Sequence, residues 1–322
     1  MKTFLVTGTA GFVASYTSKL LLQKGVQVVG LDNMNDYYDV RMKEYRLKGL
    51  KSWPNFSFYK CNIENRVALS RIFKKHRFNA VLNFAARANV PYSMKNPYVY
   101  MTTNADGALN LLEQCRKHEI RKFVLASTSS LYAGQKMPFH ERLPVNTPFS
   151  PYAASKKAAE IMAYTYHYLY DIDVTIVRYF TVYGPAGRPD MSVFRFIKWI
   201  DEGKPLRLFG DGSQTRDFTY VEDIAAGSVK ALKRVGYKII NLGSNDPYDI
   251  NEMIALVEKN LGKKANIKHY DFHKINMQAT WADISEAKKT LRWFPKVSLE
   301  QGIKRTVDWY LDNKSWLSKI KV

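Results

Sequence analysis

Phe4-Leu5-Val6 runs directly into Gly8-Thr9-Ala10-Gly11-Phe12-Val13-Ala14, and from there into a stretch whose apolar residues recur at helical spacing. Strand, glycine loop and helix in that order make a seat for a pyrophosphate. Gly8 lets the chain turn tightly. Gly11 leaves room for phosphate oxygens to approach the backbone N–H groups at the helix start, where the peptide dipoles favour negative charge. Ala14, the third small residue, allows close packing of helix on strand. The next β-branched run, Val26-Gln27-Val28-Val29-Gly30-Leu31, ends in Asp32. A carboxylate about twenty residues past the glycines accepts hydrogen bonds from an adenosine ribose and repels a 2′-phosphate, so NAD is expected rather than NADP.

Outward from this unit, short β-branched runs alternate with longer helical patterns. They predict strands over 3–7, 27–31, 56–60, 79–84, 121–126 and 173–179, and helices over 11–24, 64–75, 98–117 and 151–170. Such alternation marks β-α units laid into a parallel sheet. After Pro185 the rhythm changes to a helix near 191–202, a strand at 206–209 and helices near 221–234, 250–261 and 298–313, a smaller part expected to close over the sheet.

The 322 residues are 46% hydrophobic, enough for a sizeable core. Cys61 and Cys115 are the two cysteines, far apart and without the spacing of a thiolate metal site, so no metal is expected and a reducing cytoplasm suits the chain. Met1-Lys2-Thr3-Phe4-Leu5-Val6-Thr7-Gly8 breaks off too soon for a signal-peptide core, and no run approaches the ~18 apolar residues of a membrane helix. Lys and Arg number 49 against 29 Asp and Glu, a formal charge of +20. The basic residues are dispersed and no nucleic-acid motif accompanies them, so the expected partner is neither nucleic acid nor membrane. A field of that sign draws in a small anion such as a nucleotide diphosphate sugar.

Lys122-Phe123-Val124-Leu125-Ala126 delivers the hydroxyl cluster Ser127-Thr128-Ser129-Ser130 at a strand's carboxyl end, where ligands bind in open α/β sheets. Tyr152-Ala153-Ala154-Ser155-Lys156 then opens a helix, and the offset of four puts Tyr152 and Lys156 on one face. In this reading Lys156 lowers the phenol pKa electrostatically, Tyr152 takes a proton from a sugar hydroxyl, and Thr128 holds the reacting oxygen.

The glycine loop, the hydroxyl cluster, the Tyr-x-x-x-Lys pair, Arg178-Tyr179-Phe180-Thr181-Val182-Tyr183-Gly184-Pro185 and Asp211-Gly212-Ser213-Gln214-Thr215-Arg216-Asp217-Phe218 together resemble the extended short-chain dehydrogenase/reductase family over nearly the whole chain. Within it, Leu31-Asp32-Asn33-Met34-Asn35-Asp36-Tyr37-Tyr38-Asp39-Val40-Arg41 and Gly184-Pro185-Ala186-Gly187-Arg188-Pro189-Asp190-Met191 look most like UDP-glucuronate 4-epimerases. The resemblance implies a doubly wound parallel Rossmann sheet, largely residues 1–180, with tightly held NAD, and a smaller α/β domain over 181–322 for the nucleotide sugar, with some exchange of chain between them. It also implies a homodimer built on the helices at 98–117 and 151–170.

Residue by residue, the resemblance assigns Tyr152 as the base, Lys156 to the nicotinamide ribose and Thr128 as their third member. It implies NAD contacts from Gly8, Gly11, Phe12, Val13, Asp32, Asn33, Asn62, Ile63, Ala85, Ala86, Arg87, Asn104 and Tyr179. On the substrate side it implies Ser129, Ser130, Thr181, Arg188, Arg207, Phe209 and Arg216, the last pairing with the diphosphate. Three positions depart from the family: Asn62 replaces the Asp that usually meets the adenine, Arg87 stands where Gln is common, and Ile275-Asn276 replaces a frequent Gly-Asp.

Related dehydratases and decarboxylases carry acids beside the catalytic hydroxyl, where this chain has Ser129 and Ser130. Hydroxyls cannot do a carboxylate's proton work at neutral pH, so oxidation and re-reduction at C4 is the expected chemistry. Ser129, Ser130 and Thr181 are free to hydrogen-bond a uronate carboxylate, which points to UDP-glucuronate and UDP-galacturonate. Thr280, small where some relatives have a bulky aromatic, keeps UDP-GlcNAc or UDP-glucose open as alternative substrates, ahead of decarboxylation or dehydration. A silent NAD-binding regulator would need neither Tyr152 nor Lys156.

Overall fold

Seven parallel strands, all but one of them predicted from the sequence, form the central sheet of the computed structural model, which describes residues 1–271 and 277–322. Ile275 and Asn276 lie outside the described residues. The strands are β1 (Thr3–Thr7), β2 (Gln27–Asp32), β3 (Phe56–Lys60), β4 (Ala80–Asn83), β5 (Lys122–Thr128), β6 (Asp173–Tyr179), β7 (Thr181–Tyr183), β8 (Leu206–Phe209), β9 (Thr215–Tyr220), β10 (Tyr237–Leu242), β11 (Pro247–Asp249) and β12 (Ile267–Tyr270). The sheet order is β10-β6-β5-β4-β1-β2-β3. Strand order reverses between β1 and β4, opening a crevice at their carboxyl ends. One apolar layer covers each face of the sheet, and a third cluster gathers residues mostly from the second half of the chain, with Met42 from the first. No helix among the described residues is long and apolar enough to cross a membrane.

The strand the sequence does not predict is β10. It pairs with β6 in register from Tyr237↔Val174 to Leu242↔Tyr179, although β7, β8 and β9 intervene in the chain. Its signal is a short run, Tyr237-Lys238-Ile239-Ile240-Asn241-Leu242, whose pairing is settled only by the open edge of β6. The Val40–Lys51 helix also escapes prediction. Asp39 caps it by accepting from Arg41 N, but its buried face includes Lys43 and Arg46 beside Met42, Leu47 and Leu50, so no apolar stripe shows in the sequence.

The helix expected over 98–117 is broken into Tyr98–Tyr100, a wider π turn at Met101–Asp106 and Gly107–Lys117. The π turn carries Asn104 inward. At Gly107 a Cβ would stand 2.5 Å from Ile63 Cδ1, so this helix presses directly on the loop after β3. The Pro151–Tyr170 helix forms as predicted. Ser150 Oγ accepts from Ala153 N at 3.2 Å and Pro151 occupies the first turn, which sets Tyr152 at the mouth of the crevice.

Candidate active site

The glycine loop is shaped for a phosphate. Gly8 has φ +67°, and a Cβ there would lie 2.9 Å from Ala85 N. Gly11 N donates to Gly8 O at 2.7 Å and precedes the Phe12–Gln23 helix without any side-chain cap. The first N–H groups of that helix therefore face the crevice with no acceptor of their own. Gly8→Ala is expected to abolish tight dinucleotide binding, read as loss of copurifying cofactor absorbance, because the Cβ adds a backbone clash to an unfavourable φ.

Asp32 ends β2, and its two oxygens accept from Ala10 N at 3.2 Å and Met34 N at 2.8 Å. Arg46 is buried and donates to Ala10 O at 3.2 Å, Ala186 O at 2.9 Å and Gly187 O at 3.1 Å. One guanidinium thus ties the glycine loop to the turn that leads into Arg188. The sequence offers no signal for this, because the carbonyls that Arg46 meets lie on two loops that only the fold brings together.

A cavity of about 540 Å³ lies over the carboxyl ends of the strands. Every candidate cofactor, catalytic and substrate residue lines it except Asn104, Arg207 and Phe209. Asn104 works one layer back: its Oδ1 accepts from Arg87 N at 2.8 Å, and its Nδ2 donates to Arg87 O at 3.0 Å and Ser155 Oγ at 2.9 Å. It clamps the loop after β4 to the Tyr152 helix. Arg207 and Phe209 lie on the exposed face of β8, with the Phe209 ring 5.7 Å from that of Tyr270. The cavity also takes in Asn35, Tyr37, Tyr38 and Lys43, which the sequence does not single out.

At the centre, Thr128 Oγ1 accepts from Ser130 N at 3.1 Å and stands within hydrogen-bonding reach of the Tyr152 phenol. Burial pushes that phenol above its ordinary pKa, while the Thr128 hydroxyl and the Arg188 guanidinium pull it down. Lys156, one helical turn further on, is itself lowered to about 8 by burial, with Glu160 opposing. Arg188, which acts on the phenol from a distant loop, is a cation that the sequence alone does not place there.

A buried polar network supports these groups. Ser127 Oγ donates to Glu160 Oε1 at 2.6 Å, and Glu160 receives Arg178 through both oxygens at 2.9 and 2.7 Å. Arg178 also donates to Tyr132 Oη at 2.8 Å, and Tyr132 Oη in turn donates to Asn241 Oδ1 of β10 at 2.8 Å. On the substrate side Arg188 pairs with Asp190 at 2.6 Å and donates to Ala88 O at 2.9 Å. Arg216 has no carboxylate partner among the described residues, only the carbonyls of Thr215 at 2.7 Å and Gln278 at 3.4 Å. Burial lowers it to about 10. A half-buried, unneutralised guanidinium facing a cavity is suited to an anion.

The GDP-mannose 4,6 dehydratase family matches residues 5–306. The chain belongs to this family. Within that family it is similar to a UDP-glucuronate 4-epimerase of Thermodesulfobacterium geofontis, 54% identical over 320 residues, 99% of each chain. Its fold is similar to that of the UDP-glucuronic acid 4-epimerase of Bacillus cereus in complex with UDP-glucuronic acid and NAD, with a TM-score of 0.91 and 36% identity over 97% of this chain and 99% of that one. A UDP-glucose 4-epimerase of Thermotoga maritima with UDP-glucose gives a TM-score of 0.88 at 29% identity, over 97% of this chain and 99% of that one. The parallel sheet and the crevice described above are thus those of a GDP-mannose 4,6 dehydratase family member, and Ser129 and Ser130 are what this member places beside Thr128.

Proposed function

We propose that the protein is an NAD-dependent UDP-sugar 4-epimerase that interconverts UDP-glucuronate and UDP-galacturonate. The observation that carries this reading is the single cavity in which Thr128, Tyr152 and Lys156 meet Ser129, Ser130 and Thr181, with hydroxyls where an eliminating enzyme would need acids. The 54% identity to a UDP-glucuronate 4-epimerase supports the same substrate.

The residues present fit NAD. The uncapped start of the Phe12–Gln23 helix offers N–H groups to a pyrophosphate, Asp32 stands at the ribose end, and Arg87 Nε is buried with no partner among the described residues. Bound NAD supplies a hydride acceptor that returns what it takes. The chain's own part is proton handling and orientation. Tyr152 takes the C4 hydroxyl proton as the C4 hydride leaves, Thr128 holds the same oxygen, and a 4-keto sugar results. The sugar turns about its diphosphate link and receives hydride on the opposite face while Tyr152 returns the proton, so the cofactor ends unchanged. Arg216 holds the diphosphate, and the uronate carboxylate accepts from Ser129, Ser130 and Thr181.

The decisive experiment is product analysis by NMR with purified protein and a panel of UDP-sugars. UDP-galacturonate from UDP-glucuronate is the expected main product. UDP-xylose or UDP-arabinose as the main product would overturn the epimerase reading, and turnover of UDP-GlcNAc or UDP-glucose alone would move the activity to those substrates. A 4-keto uronate is a β-keto acid, so the carboxylate must be held out of the geometry for C–C cleavage. Ser129→Ala or Thr181→Ala is therefore expected to raise the pentose share while weakening substrate binding.

The working form in this reading is a homodimer. The Pro151–Tyr170 helix exposes Ile161, Tyr164, Tyr168 and Leu169, and Tyr98 is 81% exposed nearby in the chain fold, an apolar face that a second copy would cover. Two buried free thiols, Cys61 and Cys115, support a cytoplasmic location.

A further inference from the structure

The ribose end of the cavity holds a charge arrangement that the proposed reaction does not use. Lys43 comes from the Val40–Lys51 helix and is only 5% exposed, yet it lines the cavity. Its Nζ donates to Asn35 O at 2.8 Å and stands 3.9 Å from Asp32 Oδ1, near enough to neutralise the carboxylate and too far for a direct hydrogen bond. An ammonium carries three protons, and among the described residues Asn35 O is its one hydrogen-bond acceptor. Asp32 cannot swing toward it, because both carboxylate oxygens are engaged by backbone N–H groups. The surroundings are otherwise cationic. Burial lowers Lys43 to about 8, Asp32 opposes that, and Arg87, Arg46 and Arg188 press it lower.

A buried lysine at a helix position that packing alone would fill with an apolar residue calls for a ligand or a counter-ion. Here the counter-ion is the same carboxylate that reads an adenosine ribose and rejects a 2′-phosphate. We propose that Lys43 and Asp32 form a cofactor-selecting pair: Asp32 masks a latent phosphate site, and without that carboxylate Lys43 receives the 2′-phosphate of NADP. The inference rests on the assignment of the cavity to NAD. It goes beyond simple repulsion by Asp32, because it makes any gained NADP affinity depend on a named cation.

The test is calorimetry of NAD⁺ and NADP⁺ on cofactor-stripped wild-type protein, Asp32→Asn, Lys43→Met and the double variant, with far-ultraviolet circular dichroism as the control for folding. Asp32→Asn is expected to bind NADP⁺ about ten- to a hundredfold more tightly than wild type does, the worth of one charge-assisted hydrogen bond. In the Asp32→Asn background, Lys43→Met is expected to cancel that gain and to weaken NADP⁺ at least about tenfold more than NAD⁺. Lys43→Gln, which keeps length and polarity, serves the same comparison if the methionine variant does not fold. A gain in NADP⁺ affinity that survives loss of Lys43 overturns the proposal. So does an equal loss for both cofactors, which would place Lys43 on the shared pyrophosphate. No gain at all in Asp32→Asn overturns it too. Failure of the wild type to bind NAD⁺ would instead overturn the cofactor assignment.

Discussion

Tyr152→Phe is expected to lower kcat for UDP-glucuronate epimerisation by about two to four orders of magnitude, the usual contribution of a positioned acid/base. Only one oxygen is removed. The ring keeps its edge contact with Tyr100, whose centroid lies 6.0 Å away, so folding and cofactor retention are expected to survive. The loss should fall on kcat rather than KM, since Arg216 and the hydroxyls around Thr128 are untouched. Parental turnover by the phenylalanine variant, measured by NMR on protein with full cofactor content, would show that another group takes the proton. The pH profile adds a check. Burial pushes the Tyr152 pKa up and Arg188 pulls it down, so removing the cation by Arg188→Met should shift the alkaline-going rise in kcat to higher pH.

Arg178→Met is expected to cost about 3–5 kcal/mol of folding stability, the range for breaking a buried ion pair from one side. The side chains of Arg178 and Glu160 are each 1% exposed. Without Arg178, Glu160 keeps the Ser127 hydroxyl at 2.6 Å and a lysine, Lys157, at 3.9 Å, which leaves a buried carboxylate largely uncompensated. Tyr132 would lose a donor at the same time. Removing both charges with Glu160→Met/Arg178→Met should recover much of the loss, because the desolvation penalty then disappears with the attraction. Urea midpoints at unchanged m-value give the measurement. A single variant as stable as wild type would mean that water reaches Glu160 and that the network does not fix Ser127 beneath the site.

The sheet that positions all this was legible because its signals are local. Phe4-Leu5-Val6 followed by Gly8 and Gly11, the Asp32 strand end and the Tyr152–Lys156 offset each state their geometry within a few residues, and parallel strands buried on both faces read as continuous apolar runs. The same sequence also carried the argument for the proposed reaction class, since it puts serines rather than acids beside Thr128. Tertiary structure decided what depends on distant partners. It gave β10 its place beside β6, took Asn104 out of the cavity wall to clamp Arg87, and left Arg207 and Phe209 on an outer face. It also buried Lys43 and Arg46 on a helix whose sequence shows no apolar stripe, and it brought the Arg188 guanidinium to act on the Tyr152 phenol. The physical reason is the same throughout. Backbone turns and strand periodicity are properties of adjacent residues, whereas a charge acquires its function from its depth of burial and from the groups that folding brings near it.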